Sequence, residues 1–323
     1  MNPEAQPERA GTLVALGLLV VFWASAFPAI KLALAGLPPA QLTLARFLVA
    51  SAAFVPLLWA TRSRAWPQRR DALPFVGLGV TGITVYHLAL NFGEVHVSAG
   101  ATSLIIATAP ALTALVAWWR TGDRLEPLGW VGTAVAFAGV ALIVVGDGTI
   151  GRFHPAAGLI LLSAAATAFF AVLQRPYLQR YRPLEVTAYV TWGGTLPLLA
   201  FLPGLPAAVA GAGAGPLWAT LHLGIVPSAI AYTLFAIALR RASAPIVTSF
   251  LYLVPVVALL LSWWWLGEVP SAITLVGGAV AVAGLALVQR SRRPRRVSPG
   301  APGRGVAPSP PPGAPGCRGG ATR

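Results

Sequence analysis

Two cations stand where their surroundings make charge costly. Lys31, the single lysine, lies near the end of the stretch FWASAFPAIKLAL, and Arg46 interrupts PPAQLTLARFLVA. An ionisable group held in hydrocarbon costs about 2.5–3.5 kcal/mol even on insertion scales, so each asks for a reason. Two reasons fit: the side chains snorkel to the headgroups, or they form a cationic patch that draws a carboxylate or phosphate toward a translocation path. Further on, Tyr86, His87 and Asn91 make a polar stripe, with His87 and Asn91 four residues apart and therefore on one helical face. Tyr232 follows His87 by 145 residues and sets a second hydrogen-bonding ring at the matching position. These groups either contact a solute or bond across helix interfaces. His87 is of the type that carries protons, yet no carboxylate is read beside it. Glu94, Asp123, Asp147, Glu185 and Glu268 all map to the ends of apolar windows. Trp23, with Ser25 and Pro28 nearby, offers an indole that can stack on the aliphatic part of a solute. Trp23, Ser25, Tyr86, His87, Asn91, Tyr232 and Tyr252 are thus expected to line a substrate cavity, with Lys31 and Arg46 at its outer mouth.

Several chemistries have no residues to carry them. The chain lacks the G-x-x-x-x-G-K-[ST] loop that cradles nucleotide phosphates and the H-E-x-x-H pair that binds zinc. His87, His96, His154 and His222 are far apart in sequence, and Cys317 is the only cysteine. No catalytic set, metal or cofactor is expected, and the chain is not read as an enzyme.

The elements that must position these residues are membrane helices. Hydrophobic residues make up 56% of the chain and charged ones 10%, against about 25% charged in soluble domains, and the mean hydropathy is +0.73. A span of about 20 apolar residues crosses the hydrocarbon. About ten such windows occur, at 12–34, 41–60, 72–91, 97–119, 127–146, 156–175, 186–202, 216–239, 244–266 and 270–289. They are apolar on nearly every side, unlike the amphipathic helices of a soluble fold. Pro110 and Pro255 lie within the fourth and ninth windows, where each removes a backbone hydrogen bond and kinks the helix.

Those two prolines are also 145 residues apart. The same offset relates Trp118-Trp119 to Trp263-Trp264, Gly122 to Gly267, Asp123 to Glu268 and Gly139 to Gly284. The chain is therefore duplicated, with about five spans in each copy. Arginines fill alternate loops: Arg62, Arg64, Arg69 and Arg70 after the second window, Arg120 and Arg124 after the fourth, Arg175, Arg180 and Arg182 after the sixth, Arg240 and Arg241 after the eighth. The opposite loops hold only Arg152. By the positive-inside rule both termini are cytoplasmic, and an odd number of spans per copy inverts the second relative to the first. The net charge of +14 is accordingly topological rather than a nucleic-acid surface. The expected organisation is a cytoplasmic N-terminus (1–11), a first five-helix repeat (12–146), a periplasmic connector (147–155), a second five-helix repeat (156–289) and a basic, disordered cytoplasmic tail (290–323). Gly132, Gly139, Gly277, Gly278 and Gly284 suit close helix packing and are assigned to scaffold or dimerisation faces, which makes a homodimer one expected partner.

The stretches FWASAFPAIKLAL and PPAQLTLARFLVA, and the paired SAGATSLIIATAPALTALVAWWRTGDRL and SAPIVTSFLYLVPVVALLLSWWWLGEV, resemble the EamA-like branch of the drug/metabolite transporter superfamily over roughly residues 12–289. The resemblance implies a ten-helix secondary transporter of the bacterial inner membrane with a cavity between its repeats, commonly an exporter of amino acids, related metabolites or toxic compounds. One departure is Ala168-Phe169, where an aromatic Trp is frequent in the family. The leading expectation is alternating-access efflux of an amino acid or a derivative, with a small-molecule substrate and the lipid bilayer as partners. Transport of phosphorylated or nucleotide-linked solutes, and a non-transporting membrane scaffold or sensor, are the alternatives.

Overall fold

The computed structural model describes residues 5–63, 66–121, 127–146, 155–235 and 253–290. Tyr252, the 147–154 part of the connector, Arg240, Arg241 and the tail beyond 290 lie outside the described residues. Among those described there is helix and no strand, because hydrocarbon offers backbone N–H and C=O groups no partner outside their own helix.

The first apolar stretch comprises α1 (Ala5–Ala24) and α2 (Ala26–Leu34), parted by a turn at Ser25. Helix α3 (Pro39–Ala60) begins on a proline, whose missing N–H has no helical partner to lose at that position. Helix α4 (Arg69–Gly79) passes through a π-helical turn over Val80–Val85 into α5 (Tyr86–Glu94). Helices α6 (Ala99–Ile106) and α7 (Ala109–Thr121) are separated by a turn at residues 107–108, and Pro110 is the second residue of α7. Then come α8 (Pro127–Gly146), α9 (Pro155–Leu173), the single turn α10 (Arg175–Leu178), α11 (Pro183–Leu198), α12 (Leu205–Gly211) and α13 (Ala214–Ile225). Helix α13 enters a second π-helical turn over Val226–Ile230. Helices α14 (Val254–Leu266), with Pro255 in its first turn, and α15 (Ala272–Arg290) end the described chain.

Six stretches are long and apolar enough to cross a membrane: Val14–Leu34, Pro39–Ala60, Arg69–Glu94, Pro155–Leu173, Pro183–Gly211 and Ala214–Phe235. The remaining four windows correspond to shorter apolar helices among the described residues, Ala99–Thr113, Pro127–Ile143, Val254–Leu266 and Ala272–Gly284. Large apolar side chains such as Val55, Leu73, Leu196 and Leu260 point outward, which lipid tolerates and water does not. This is an all-helical integral membrane protein.

Helix α3 and α4 pack on α11, α2 and α3 on α13, α5 and α7 on α9, α6 on α14, and α8 on α15. The α8/α15 contact is reciprocal. A Cβ added to Gly139 would lie 2.7 Å from the Gly277 carbonyl oxygen, and one added to Gly284 would lie 2.6 Å from that of Gly132. Gly146 likewise meets Thr274, so numbering falls along one helix as it rises along the other and the two run antiparallel. A second reciprocal pair joins α4 to α11 and α13 to α3. A Cβ on Gly79 would lie 2.6 Å from the Val190 oxygen, and one on Gly224 would lie 2.9 Å from the Arg46 oxygen. Only glycine lets backbones come this close.

One end of the bundle gathers the arginines. Asp71 in the first turn of α4 is buried, accepts from Arg180 at 3.2 Å and from the Tyr181 hydroxyl at 2.8 Å, and Arg182 reaches the Thr61 carbonyl at 3.3 Å. At the other end Lys31 meets the C-terminus of α5, and the Ala99 amide of α6 donates to the Glu268 carboxylate at 3.0 Å.

Candidate functional site

Arg46 lies seven residues into α3, about 10 Å along the helix from Pro39. The sequence reading set it beside Lys31 at an open mouth; the structure encloses it, with 4% of its surface exposed. Its Nε donates to Ser228 Oγ at 3.0 Å and its guanidinium approaches His87 Nδ1 at 3.3 Å. Ser228 in turn donates to the Leu223 carbonyl at 2.8 Å, which leaves its lone pairs facing the arginine. Because a guanidinium has donors only, His87 Nδ1 must accept, and the neutral ring then carries its proton on Nε2. That Nε2 is buried and has no hydrogen-bond partner among the described residues. The rings of Phe47 and Tyr86 pack on His87 at 4.5 and 4.4 Å between centroids.

Both irregular turns feed this place. The π segment Val80–Val85 directly precedes Tyr86 and His87, and the π segment Val226–Ile230 holds Ser228 and precedes Tyr232. The sequence offset of 145 carries residues 80–85 onto 225–230, so the two widened turns occupy matching positions in the two halves. π-Turns of this kind frequently mark functional sites.

Above His87 on the same face come Asn91 and Glu94. Asn91 donates from Nδ2 to Thr43 Oγ1 at 2.8 Å, and Thr43 donates to the Pro39 carbonyl. Asn91 Oδ1 and both carboxylate oxygens of Glu94 are buried without a hydrogen-bond partner among the described residues. Glu94 is 0% exposed. Glu94 stands at the end of its span, where its apolar window placed it, yet α5 carries its face through to residue 94 and the residue is buried there. Lys31 donates to the backbone carbonyl of Glu94 at 2.6 Å and, more weakly, to that of Val95 at 3.4 Å.

A second group forms between α1 and α13. The Trp23 indole donates to the Pro227 carbonyl at 3.2 Å and packs on Tyr232 and Phe235 at 5.5 and 5.4 Å. Ser25 donates to the Phe22 carbonyl and shares a 2.9 Å bond with His222 Nε2. Beside Tyr232 and Phe235 lies a space of about 90 Å³ lined also by Ile83, Phe170 and Thr191.

The structure therefore brings together Arg46 with His87 and Tyr86, Trp23 with Tyr232, and Lys31 with the end of α5, but it separates Lys31 from Arg46 as two distinct sites. Pro255 is buried at the start of α14, and Tyr252 lies outside the described residues. Sequence reasoning missed Glu94, Ser228, His222 and Thr43. The first had a signal, since it continues the His87–Asn91 face by three residues. Ser228 and Thr43 had none, because their partners come from distant segments.

Residues 10–145 and 154–290 each match the EamA-like transporter family. A Streptantibioticus cattleyicolor protein named "Probable terminal-alkyne amino-acid exporter" is 42% identical over 90% of this chain and 97% of its own length. A Bacillus subtilis protein named "Uncharacterized transporter YdfC" is 34% identical over 84% of this chain and 89% of its own. A solved crystal structure shares the fold with a TM-score of 0.60 at 22% identity, covering 88% of this chain and 99% of that one.

Proposed function

Because the chain belongs to the EamA-like transporter family, we propose that it exports amino acids or their derivatives across a bacterial inner membrane by alternating access. The observation that carries the reading is Arg46. Its guanidinium is enclosed in an apolar bundle and is held by His87 from the first family-matched half and Ser228 from the second. A carboxylate bound there makes charge-assisted bonds in a low dielectric, and its anchor senses any displacement of one half against the other. Trp23 and Tyr232 supply apolar walls for the side chain of such a solute. The name of the 42% identical relative makes terminal-alkyne amino acids the first class to test.

The reading takes ten spans as two inverted repeats, 12–146 and 156–289, with both termini cytoplasmic. Three observations support it: the antiparallel, reciprocal α8/α15 contact, the matched π segments and the arginines gathered at one end. Transport then needs no covalent turnover, only rocking of the repeats about a midplane site.

Proteoliposomes loaded with radiolabelled amino acids, including a terminal-alkyne one, provide the test. Protein-dependent efflux of an amino acid that competes with its unlabelled form is expected. Folded wild-type protein that moves no carboxylate-bearing solute of the panel would overturn the reading.

A further inference from the structure

Glu94 has no task in carboxylate binding, yet it is the most deeply enclosed acid in the described chain. Both of its oxygens lack hydrogen-bond partners there, and a buried carboxylate without bonds is among the costliest groups a protein can hold. Such a group persists only if a cation or a proton neutralises it.

The elements packed on α5 define what is available. From α2 comes Lys31, whose ammonium is fixed 2.6 Å from the backbone oxygen of Glu94 itself. From α3 comes Arg46, two helical turns deeper and already committed to Ser228 and His87. Beyond α14 stands Glu268, a like charge that acts on Glu94 and caps α6. His96 follows in the connecting turn and is exposed. Helix α9 contributes no charge: Ile160 lies against Gly93 and Ser163 donates to the Tyr86 carbonyl at 2.7 Å, and α6 contributes no charge either. Among the described residues Lys31 is thus the cation beside Glu94 that is not already committed to other side chains, and it is half-buried at the end of the bundle.

We propose that Glu94 is a proton-binding site at which a proton and the Lys31 ammonium alternate as the neutralising charge. With the proton on Glu94, Lys31 clamps the C-terminal carbonyls of α5, as in this structure, and α2 is tied to α5. When the proton leaves, the ammonium moves from the carbonyls to the carboxylate and releases that tie. The balance is simple: one proton is gained or lost at one carboxyl oxygen, the Lys31 hydrogen bonds change partner, and no other covalent bond changes. Resting on the export reading above, this gives the transporter an exchange ion, with a proton entering as a solute leaves.

The first test needs no solute. Infrared difference spectra of the purified full-length protein, titrated between about pH 4 and pH 9, are expected to contain a protonated-carboxyl C=O band that is lost in Glu94→Gln and titrates at a different pH in Lys31→Met. Thermal unfolding confirms that both variants are folded. Wild-type protein with no titrating protonated-carboxyl band in that range overturns the proposal even if both variants fail to fold. The second test uses the proteoliposomes. An acid-outside gradient is expected to accelerate wild-type efflux several-fold, and that acceleration is lost in Glu94→Gln. Wild-type efflux that ignores the gradient overturns the exchange, whereas a titrating Glu94 band with no efflux of any solute supports the proton site and sinks the export reading alone.

Discussion

The two halves match one family and differ in chemistry. Their helices meet through the same glycine contacts, Gly139 with Gly284 and Gly79 with Gly224, and each half widens one helix into a π segment at the matching place. The side chains then part company. Judged by the reciprocal contacts, Arg46 corresponds to Val190, and by the sequence offset His87 corresponds to Tyr232, Asn91 to Ala236, Glu94 to Leu239 and Ser228 to Ile83. Arg46, His87 and Glu94 all belong to the first half, and the second half answers with a hydroxyl or with hydrocarbon. Duplication supplied two equivalent supports, and only one was furnished with charge. The halves are thus alike in how their helices pack and unlike in where their charge sits.

The largest test of that contrast is at its most unequal pair. Arg46→Met is expected to cut amino-acid efflux about 100-fold, since an enclosed charge partner is worth roughly 2–5 kcal/mol. Val190→Ile, which adds one methylene and removes no charge at the corresponding place, is expected to leave efflux within about twofold, its packing cost of about 1–3 kcal/mol or less being read separately in the unfolding midpoint. Equal losses in radiolabel efflux would break the comparison. Next come the equal pairs. Gly139→Val and Gly284→Val should each lower stability by about 1–3 kcal/mol through backbone overpacking, read as matching drops in the thermal unfolding midpoint in detergent. A drop in one and not the other would mean that the shared support is not shared. His87→Phe removes the acceptor of Arg46 and is expected to lower efflux about tenfold, while Tyr232→Phe stays within about threefold. The smallest effect is remote from the row. Asp71→Asn weakens the bonds to Arg180 and Tyr181, and because Arg180 is 42% exposed on its side chain a loss near 1 kcal/mol or less is expected, shrinking further in high salt.

Much of the scaffold was legible. Apolar windows located the long described helices, though not the short α10 and α12, because a membrane forces length and composition together, and the repeated prolines, glycines and tryptophans disclosed the duplication. The site was legible only in part. Arg46 and His87 stood out because polarity in an apolar run is conspicuous, but the depth of Arg46 was misjudged, since helix α3 begins two residues earlier than its window and neighbouring helices, which a local reading cannot see, close over it. Glu94 was passed over because it falls near a Gly and a turn, where an acid is ordinarily solvated. The α5 face runs one step further than the apolar pattern does. Ser228 acquires its role from a π segment, and no residue preference announces such a segment with certainty; Gly82 and Pro227 are the only local hints.

The π segment at Val80–Val85 has a geometric effect beyond its own length. An α-helix advances about 100° for each residue, so one surplus residue wound into a wider turn swings everything after it by about that angle relative to an unbroken helix. His87, Asn91 and Glu94 all come after it, and so they are aimed as a set, like keys on one shaft. Tightening those few residues back to regular winding would turn all three away together, without altering a single side chain.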